Sequence, residues 1–251
     1  MTRWKLTIEY KGTDYSGWQR QDDVPTVQRA IEEAIYKFCQ QEVTLHVAGR
    51  TDAGVHAKGQ VAHFDLERVI SGFDLAKALN AHLRPQAISI IRAEAMTEEF
   101  HARFKATNKL YHYRIINRPG FLTIDYGLAW YIKHELNVPA MIEGAKYLLG
   151  HHDFSTFRDS ECQAKSPEKT LDRLDISVRD YDGCGGREIL IAAEAKSFLH
   201  HQVRNMVGTL SMVGEGKWQP SDVKTALEAK DRTKGGPTAP PEGLYLVRVD
   251  Y

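Results

Sequence analysis

The chain of 251 residues is 42% hydrophobic, 26% charged and 10% aromatic, a composition typical of a well-packed globular protein that excludes a disordered or fibrous chain. Lysine plus arginine and aspartate plus glutamate each number 33, so the zero net charge gives no indication of a polyanionic partner. The cysteines are Cys39, Cys162 and Cys184. Their odd number and wide spacing argue against a disulfide framework and favour a cytoplasmic location. No apolar stretch approaches the roughly 18 residues of a membrane span, so we expect neither export nor membrane insertion.

The first part of the chain alternates between strand and helix patterns. Apolar residues at every second position from Trp4 to Tyr10 predict a half-buried strand. Thr26 is placed to cap a helix whose apolar residues recur every three or four positions as far as Phe38. Further strands are predicted near 42–48, around Val61 to Phe64 and near 87–95, with a helix near 74–83.

The second part continues this alternation. Strands are predicted at 110–117, 172–180, 188–197 and 244–250, and helices at 138–149, 201–213 and 221–229. Because strands that follow one another directly occur beside helical crossovers, we predict an α+β fold of two similar α/β half-domains. Their sheets are expected to be mixed, mainly antiparallel and flanked by helices. The expected halves are 1–105 and 106–251.

One loop concentrates reactive side chains. Residues Gly49–Ala57, with the sequence GRTDAGVHA, set a guanidinium, a carboxylate and an imidazole between glycines and two predicted strands. Glycines allow close approach of a ligand, and flanking strands hold a carboxylate in place. A tight turn in which Asp52 bonds its own backbone is the alternative, and the loop alone does not decide between them.

Several segments in the same order resemble one family. Gly49–His56 is similar to the catalytic motif of the TruA-type tRNA pseudouridine synthases. The other matching segments are Tyr10–Gln21, Phe100–Phe104, Phe198–Gly208, Ala229–Arg232 and Gly243–Leu246. Two positions depart from the family pattern: Lys11 stands where the family usually has aspartate, and Leu83-Arg84-Pro85 replaces its usual Leu-Pro turn.

The resemblance implies both an architecture and an activity. It implies ferredoxin-like (RRM-like) halves around a central active-site cleft, in an enzyme that isomerises uridine to pseudouridine in tRNA. The family acts in the anticodon stem-loop, at nucleotides 38–40. It uses no cofactor and no metal, and it works as a homodimer.

The resemblance also assigns roles to residues. Asp52 takes the place of the catalytic carboxylate, Arg204 is expected to keep it ionised, and Tyr111 is expected to stack on the target base. The remaining substrate contacts implied are Arg50, Thr51, His56, Arg103 and Leu244. Without the resemblance, a helix-surface arginine and a core tyrosine are the simpler interpretations of Arg204 and Tyr111.

Cations are clustered between residues 101 and 118, with no acidic residue among them. The cluster contains Arg103, Lys105, Lys109, Arg114 and Arg118, interleaved with aromatic residues. This mixture is typical of an RNA-binding surface, and a solvated strand face is the alternative. Two other functions stay open: an RNA-binding module without turnover, and a glycosidase that would need a second carboxylate beside Asp52.

Overall fold

The computed structural model describes all 251 residues, and its contacts divide the chain into two compact units. The first unit comprises Met1–Thr107 with Tyr245–Tyr251, and the second comprises Asn108–Leu244. Each unit combines helices with a mainly antiparallel sheet, as expected for an α+β fold. The expected second half, 106–251, differs from the second unit at its end. Residues from Tyr245 onward belong to the first unit because Tyr245 and Leu246 pair in parallel with a strand of that unit, at His56 and Ala57.

The first unit packs two helices against one sheet. In chain order its elements are β1 (Thr2–Tyr10), α1 (Val27–Cys39), β2 (His46–Val47), β3 (His56–Leu66), α2 (Gly72–Leu83), β4 (Ile88–Met96) and the last strand of the chain, β11 (Leu244–Asp250). The strands are ordered β4-β1-β3-β11, with β1 antiparallel to both neighbours and β2 paired to β3. Leu6, Ile8, Ile31, Leu75 and Leu79 are fully buried in its core.

Local signals account for the first helix but not for the segment after it. Thr26 caps α1 by accepting a hydrogen bond from the backbone N–H of Arg29, as the sequence predicts. The strand predicted near 42–48 is reduced to His46–Val47. Just before it, the backbone N–H of Leu45 donates to the buried carboxylate of Glu32 at 3.0 Å. The side chain of Glu32 therefore takes the place of the backbone carbonyl that a neighbouring strand would provide.

The second unit contains four strands of one sheet, a separate two-stranded sheet and three helices. Its elements are β5 (Asn108–Asn117), β6 (Trp130–Ile132), α3 (Val138–Lys146), β7 (Gly150–Asp153), β8 (Glu168–Leu171), β9 (Arg173–Asp180), β10 (Arg187–Ala195), α4 (Gln202–Gly214) and α5 (Pro220–Ala229). The order is β5-β10-β9, β6 lies parallel to β5, and β7 pairs with β8. Strands β6 to β8 were not predicted, because three or four residues show no usable periodicity. None of the helices has the length and apolarity needed to cross a membrane.

A buried carboxylate joins strands β5, β10 and β9 of this sheet. Glu188 on β10 is only 4% exposed, and it accepts hydrogen bonds of 2.6 Å from Nε of Arg114 on β5 and from Nε of Arg179 on β9. Arg114 also pairs with Asp125 at 2.9 Å. Burial favours the neutral acid, but the two guanidinium groups outweigh it, and the pKa of Glu188 is lowered.

We expect Glu188→Gln to lower the free energy of unfolding by about 3 kcal/mol at neutral pH, because two guanidinium groups lose their buried counter-charge. A carboxyl group with a lowered pKa in the folded state stabilises the protein above its ordinary pKa of 4.5, and that contribution is lost as the pH falls through the folded-state value. The difference between wild type and variant should therefore shrink below about pH 4.5. Urea unfolding of wild type and Glu188→Gln at pH 7 and pH 4 measures this difference in the free energy of unfolding. A difference that stays constant with pH would contradict this account.

Candidate active site

Main-chain and side-chain hydrogen bonds fasten the loop that carries Asp52, here called the Asp52 loop (residues 48–55). The buried amide of Gln60 donates to the carbonyl of Gly49 at 2.8 Å, and the backbone N–H of Trp18 donates to the carbonyl of Thr51 at 3.0 Å. Within the loop, the N–H of Val55 donates to the carbonyl of Asp52 at 3.2 Å. The loop is therefore held by β3 on one side and by the segment after β1 on the other.

Two glycines of that segment let its backbone touch the Asp52 loop. A Cβ atom at Gly12 would lie 2.0 Å from the carbonyl oxygen of Val55. A Cβ atom at Gly17 would lie 2.7 Å from the carbonyl oxygen of Thr51, and Gly17 also has a φ of +90°. No other residue type permits both the conformation and the approach at Gly17. The segments Tyr10–Gln21 and Gly49–His56 are therefore in direct backbone contact.

A buried polar cluster of Tyr10, Thr51 and Gln60 also holds the Asp52 loop. The hydroxyl groups of Tyr10 and Thr51 lie 2.7 Å apart, and the amide of Gln60 is 3.4 Å from the Tyr10 hydroxyl. Burial raises the pKa of Tyr10 to about 12, against the opposing effect of its hydrogen bonds to Thr51 and Gln60, and the nearby charge of Asp52 raises it further. Tyr10 is therefore a neutral hydrogen-bonding group at physiological pH.

His56, at the start of β3, is buried and connects neighbouring segments of the first unit. Its ring is 1% exposed, Nδ1 accepts a hydrogen bond from the backbone N–H of Gly12 at 2.9 Å, and the ring packs 4.7 Å from that of Tyr245. The accepting Nδ1 places the proton of the neutral ring on Nε2. A substrate contact for His56 stays a prediction, whereas these contacts join the segment after β1 to β3 and β11.

The loop alternates anchored and accessible residues. Thr51 is buried, whereas Asp52 is half-buried and Arg50 is exposed. Arg50 and Asp52 therefore flank Thr51, where the backbone is held by the hydrogen bond from Trp18. A carboxylate on such a fixed backbone needs little reorganisation when a substrate binds.

Arg103 lies in a different part of the first unit. It is exposed, with its guanidinium 5.9 Å from the ring centre of Phe104. The preceding Ala102 donates its backbone N–H to Nδ1 of His63, seven residues along β3 from His56. At about 3.3 Å per residue that separation is roughly 23 Å. Arg50, Thr51, Asp52 and His56 are therefore brought together, and Arg103 is not.

In the second unit, Arg204 is oriented by the loop that follows α5. Nε of Arg204 donates to the carbonyl of Ala239 at 2.8 Å, and the N–H of Ala239 donates to the carbonyl of Arg204 at 3.1 Å. Helix α4 approaches this loop closely because a Cβ atom at Gly208 would lie 1.8 Å from the carbonyl oxygen of Pro237. The reciprocal bonds keep the guanidinium in one orientation.

A polar network that sequence reasoning did not assign holds the loop in place. Nη2 of Arg232 donates to Oδ1 of Asn205 at 3.1 Å and to the hydroxyl of Thr238 at 3.1 Å. The amide of Asn205 also donates to the carbonyl of Phe157 at 2.9 Å. The sequence signal for this network was the segment Ala229–Arg232, which matches the family but to which no role was assigned. Arg232 connects that segment to the helix of Arg204.

Tyr111 and Leu244 are buried in the second unit. The ring of Tyr111 on β5 is 8% exposed and packs edge-on against Phe198, with ring centres 5.2 Å apart. On the same strand face, Tyr113 is fully buried and donates its hydroxyl proton to the carbonyl of Pro240 at 2.7 Å. Leu244, at the start of β11, is 6% exposed. Tyr111, Arg204 and Leu244 thus belong to the second unit, and the other predicted site residues to the first.

The cation cluster of residues 101–118 is not one uniform basic surface. Arg114 is paired with Asp125 and Glu188, Arg118 is paired with Asp182 at 3.0 Å, and Lys109 is 9% exposed. Acidic residues distant in sequence neutralise part of the cluster. The run of sequence without acidic residues therefore overstated the local charge.

Comparison with known proteins identifies full-length relatives. A family model described as tRNA pseudouridine synthase matches residues 6–105 and 145–251. Proteins named tRNA pseudouridine synthase A from Paramagnetospirillum magneticum, Rhodospirillum rubrum and Afipia carboxidovorans are 57%, 51% and 54% identical to this chain. Each alignment covers 100% of this chain, and they cover 96%, 88% and 100% of the respective relatives.

Proposed function

Because the chain belongs to the tRNA pseudouridine synthase family, we propose that it converts uridine to pseudouridine in the anticodon stem-loop of tRNA, with Asp52 as the catalytic carboxylate. The observation that carries the proposal is the fixed Asp52 loop, whose backbone is bound by Trp18 and approached by Gly12 and Gly17. The same segments carry the family resemblance. Their contact gives a physical reason for two of the matching segments, Tyr10–Gln21 and Gly49–His56.

The reaction needs a carboxylate but no exchange of electrons. The bond from C1′ of the ribose to N1 of uracil breaks, the base turns, and C1′ bonds to C5, from which a proton is lost. An ionised carboxylate serves as a nucleophile, or as a partner for positive charge that develops on the sugar. Asp52 has this role in the proposal, and its half-buried position suits a group that a flipped base covers.

The other proposed roles follow from the side-chain chemistry. Arg204 supplies a permanent positive charge that favours the ionised form of Asp52 when the flipped base excludes water from the site. The ring of Tyr111 offers a surface for stacking the uracil, and Leu244 offers an apolar contact. Arg50 and Arg103 bind phosphate groups of the tRNA. The proposal includes a homodimer that acts in the cytoplasm without cofactor or metal.

Tritium release from tRNA labelled with [5-³H]uridine tests the proposal, because forming the C1′–C5 bond expels the hydrogen of C5. Release from unmodified tRNA is expected, and it should disappear when the anticodon-arm uridines are replaced by cytidine. No release would favour an RNA-binding module without turnover. Free uracil in the supernatant would favour a glycosidase.

We expect Arg204→Lys to lower kcat/KM for tRNA roughly tenfold to hundredfold, because lysine keeps the charge but loses the Nε–H donated to Ala239. Initial-rate tritium assays measure the change. Arg173→Lys is the matched control, since Arg173 is an exposed arginine of the same unit with the acidic partner Asp175. Equal activity of the two variants would remove Arg204 from the proposed machinery.

A further inference from the structure

The turn at residues 101–105 of the first unit presents three exposed side chains in a row. These belong to Arg103, Phe104 and Lys105, and Phe104 is 75% exposed. The residues on either side of them, Ala102 and Ala106, are buried. Exposure alone indicates little, because single apolar side chains are common on protein surfaces. The way in which the ring is held and the charges around it are more informative.

Hydrogen bonds hold the backbone of this turn in one conformation. Nδ1 of His101 accepts the backbone N–H of Arg103 at 3.2 Å and that of Phe104 at 3.4 Å. The carbonyl of Ala102 accepts the hydroxyl proton of Tyr251 at 2.9 Å. The backbone that carries Phe104 is therefore ordered before any ligand binds, which reduces the entropy cost of binding.

The ring of Phe104 is the exposed end of a series of aromatic rings that leads into the core. It packs on His101 with ring centres 4.3 Å apart, and His101 packs on the buried His63 at 4.7 Å. Burial lowers the pKa of His63 to about 4 and also lowers the pKa of His101. Both histidines are therefore neutral at pH 7, and a neutral ring is what allows Nδ1 of His101 to accept hydrogen bonds.

The charges beside Phe104 favour an anionic partner. The guanidinium of Arg103 lies 5.9 Å from the ring centre of Phe104, and Lys105 follows directly in the chain. No acidic side chain pairs with either cation, in contrast to Arg114 and Arg118, whose acidic partners neutralise them. Sites for single-stranded RNA use this combination, with phosphates on the cations and a base on the aromatic ring.

We propose that Phe104 stacks on an unpaired base of the tRNA, other than the base that is modified, while Arg103 and Lys105 contact the phosphates beside it. The inference rests on the proposed function for its ligand, tRNA. The base is unpaired because neighbouring bases cover both faces of a base inside a duplex. It belongs to another nucleotide because the turn contacts His63, roughly 23 Å along β3 from the end at His56 that adjoins the Asp52 loop.

Tryptophan at position 104 reports stacking directly, because a base stacked on an indole ring quenches its fluorescence. Phe104→Trp keeps an aromatic surface, and it should lose most of its added emission when unmodified tRNA binds, after the titration of wild type is subtracted. Phe73→Trp is the matched control. Phe73 on α2 is 76% exposed but is followed by Asp74 rather than by a cation, so its replacement should show no quenching.

Alanine variants measure what the contact contributes to binding. Phe104→Ala should raise the Kd for tRNA in filter binding about tenfold, the value of one lost stacking contact. Phe104→Tyr should restore the wild-type Kd, and Phe73→Ala should keep it. If Phe104→Ala fails to fold, the fluorescence of Phe104→Trp decides the question.

The outcomes distinguish this inference from the proposed function, because both readouts measure binding without turnover. A merely structural role for Phe104 would lower stability but would leave bound tRNA unable to quench Phe104→Trp. Unchanged emission from Phe104→Trp with tRNA bound, or equal Kd values for Phe104→Ala and Phe73→Ala, overturns the stacking contact alone. Quenching in Phe104→Trp without tritium release by wild type overturns the proposed reaction and supports the stacking contact.

Discussion

Replacing Asp52 by asparagine should abolish pseudouridine formation, with a fall in kcat of at least about a thousandfold. Asparagine has nearly the same volume and keeps the backbone bond between Val55 and the carbonyl of residue 52. It removes only the negative charge that the reaction needs at C1′. Binding of tRNA should remain close to wild type, because the charge lost is not one that attracts phosphate. Tritium release at saturating tRNA and a filter-binding Kd measure the two effects.

Asp14→Asn is the matched control for this charge removal. Asp14 is an exposed carboxylate in the turn at Gly12–Asp14, within the segment that contacts the Asp52 loop. The control should release tritium at the wild-type rate. An Asp52→Asn variant that folds, binds tRNA and still releases tritium within tenfold of wild type would show that Asp52 is not the catalytic carboxylate.

Gly17→Ala should damage both stability and catalysis. An alanine at φ +90° costs about 1–3 kcal/mol, and a Cβ atom 2.7 Å from the carbonyl oxygen of Thr51 adds about as much by overpacking. The Asp52 loop relieves the clash by moving. A displacement on the order of 1 Å costs about a hundredfold in rate. Chemical unfolding and the tritium assay, read on the same preparation, measure both quantities.

Gly185 provides a control with the same backbone requirement. Its φ is +91°, and a Cβ atom there would meet nothing within 4 Å. Gly185→Ala should therefore show the conformational cost alone, with full activity. Similar losses in the two variants would mean that the contact between Gly17 and Thr51 does not position the loop. The difference between them isolates the effect of that contact.

Local patterns were sufficient for most helices and long strands. The period-two alternation of β1 and the cap of α1 at Thr26 appear where the sequence predicts them. Such elements are specified by residues close together in the chain, through side-chain periodicity and capping hydrogen bonds. The loop with Asp52 was also visible, because its glycines and polar residues interrupt two strand patterns. The family resemblance then supplied the catalytic interpretation.

The sequence by itself determined the α+β class, the main elements and the identity of the Asp52 loop. Only the tertiary structure decided that β11 joins the first unit, that Gly12 and Gly17 contact that loop, and that Arg204 is held by Ala239. It also decided which cations are neutralised by distant acids, as in the pairing of Arg114 with Glu188. These features depend on residues far apart in the chain, and periodicity and propensity carry no information about which distant backbone or charge a residue meets.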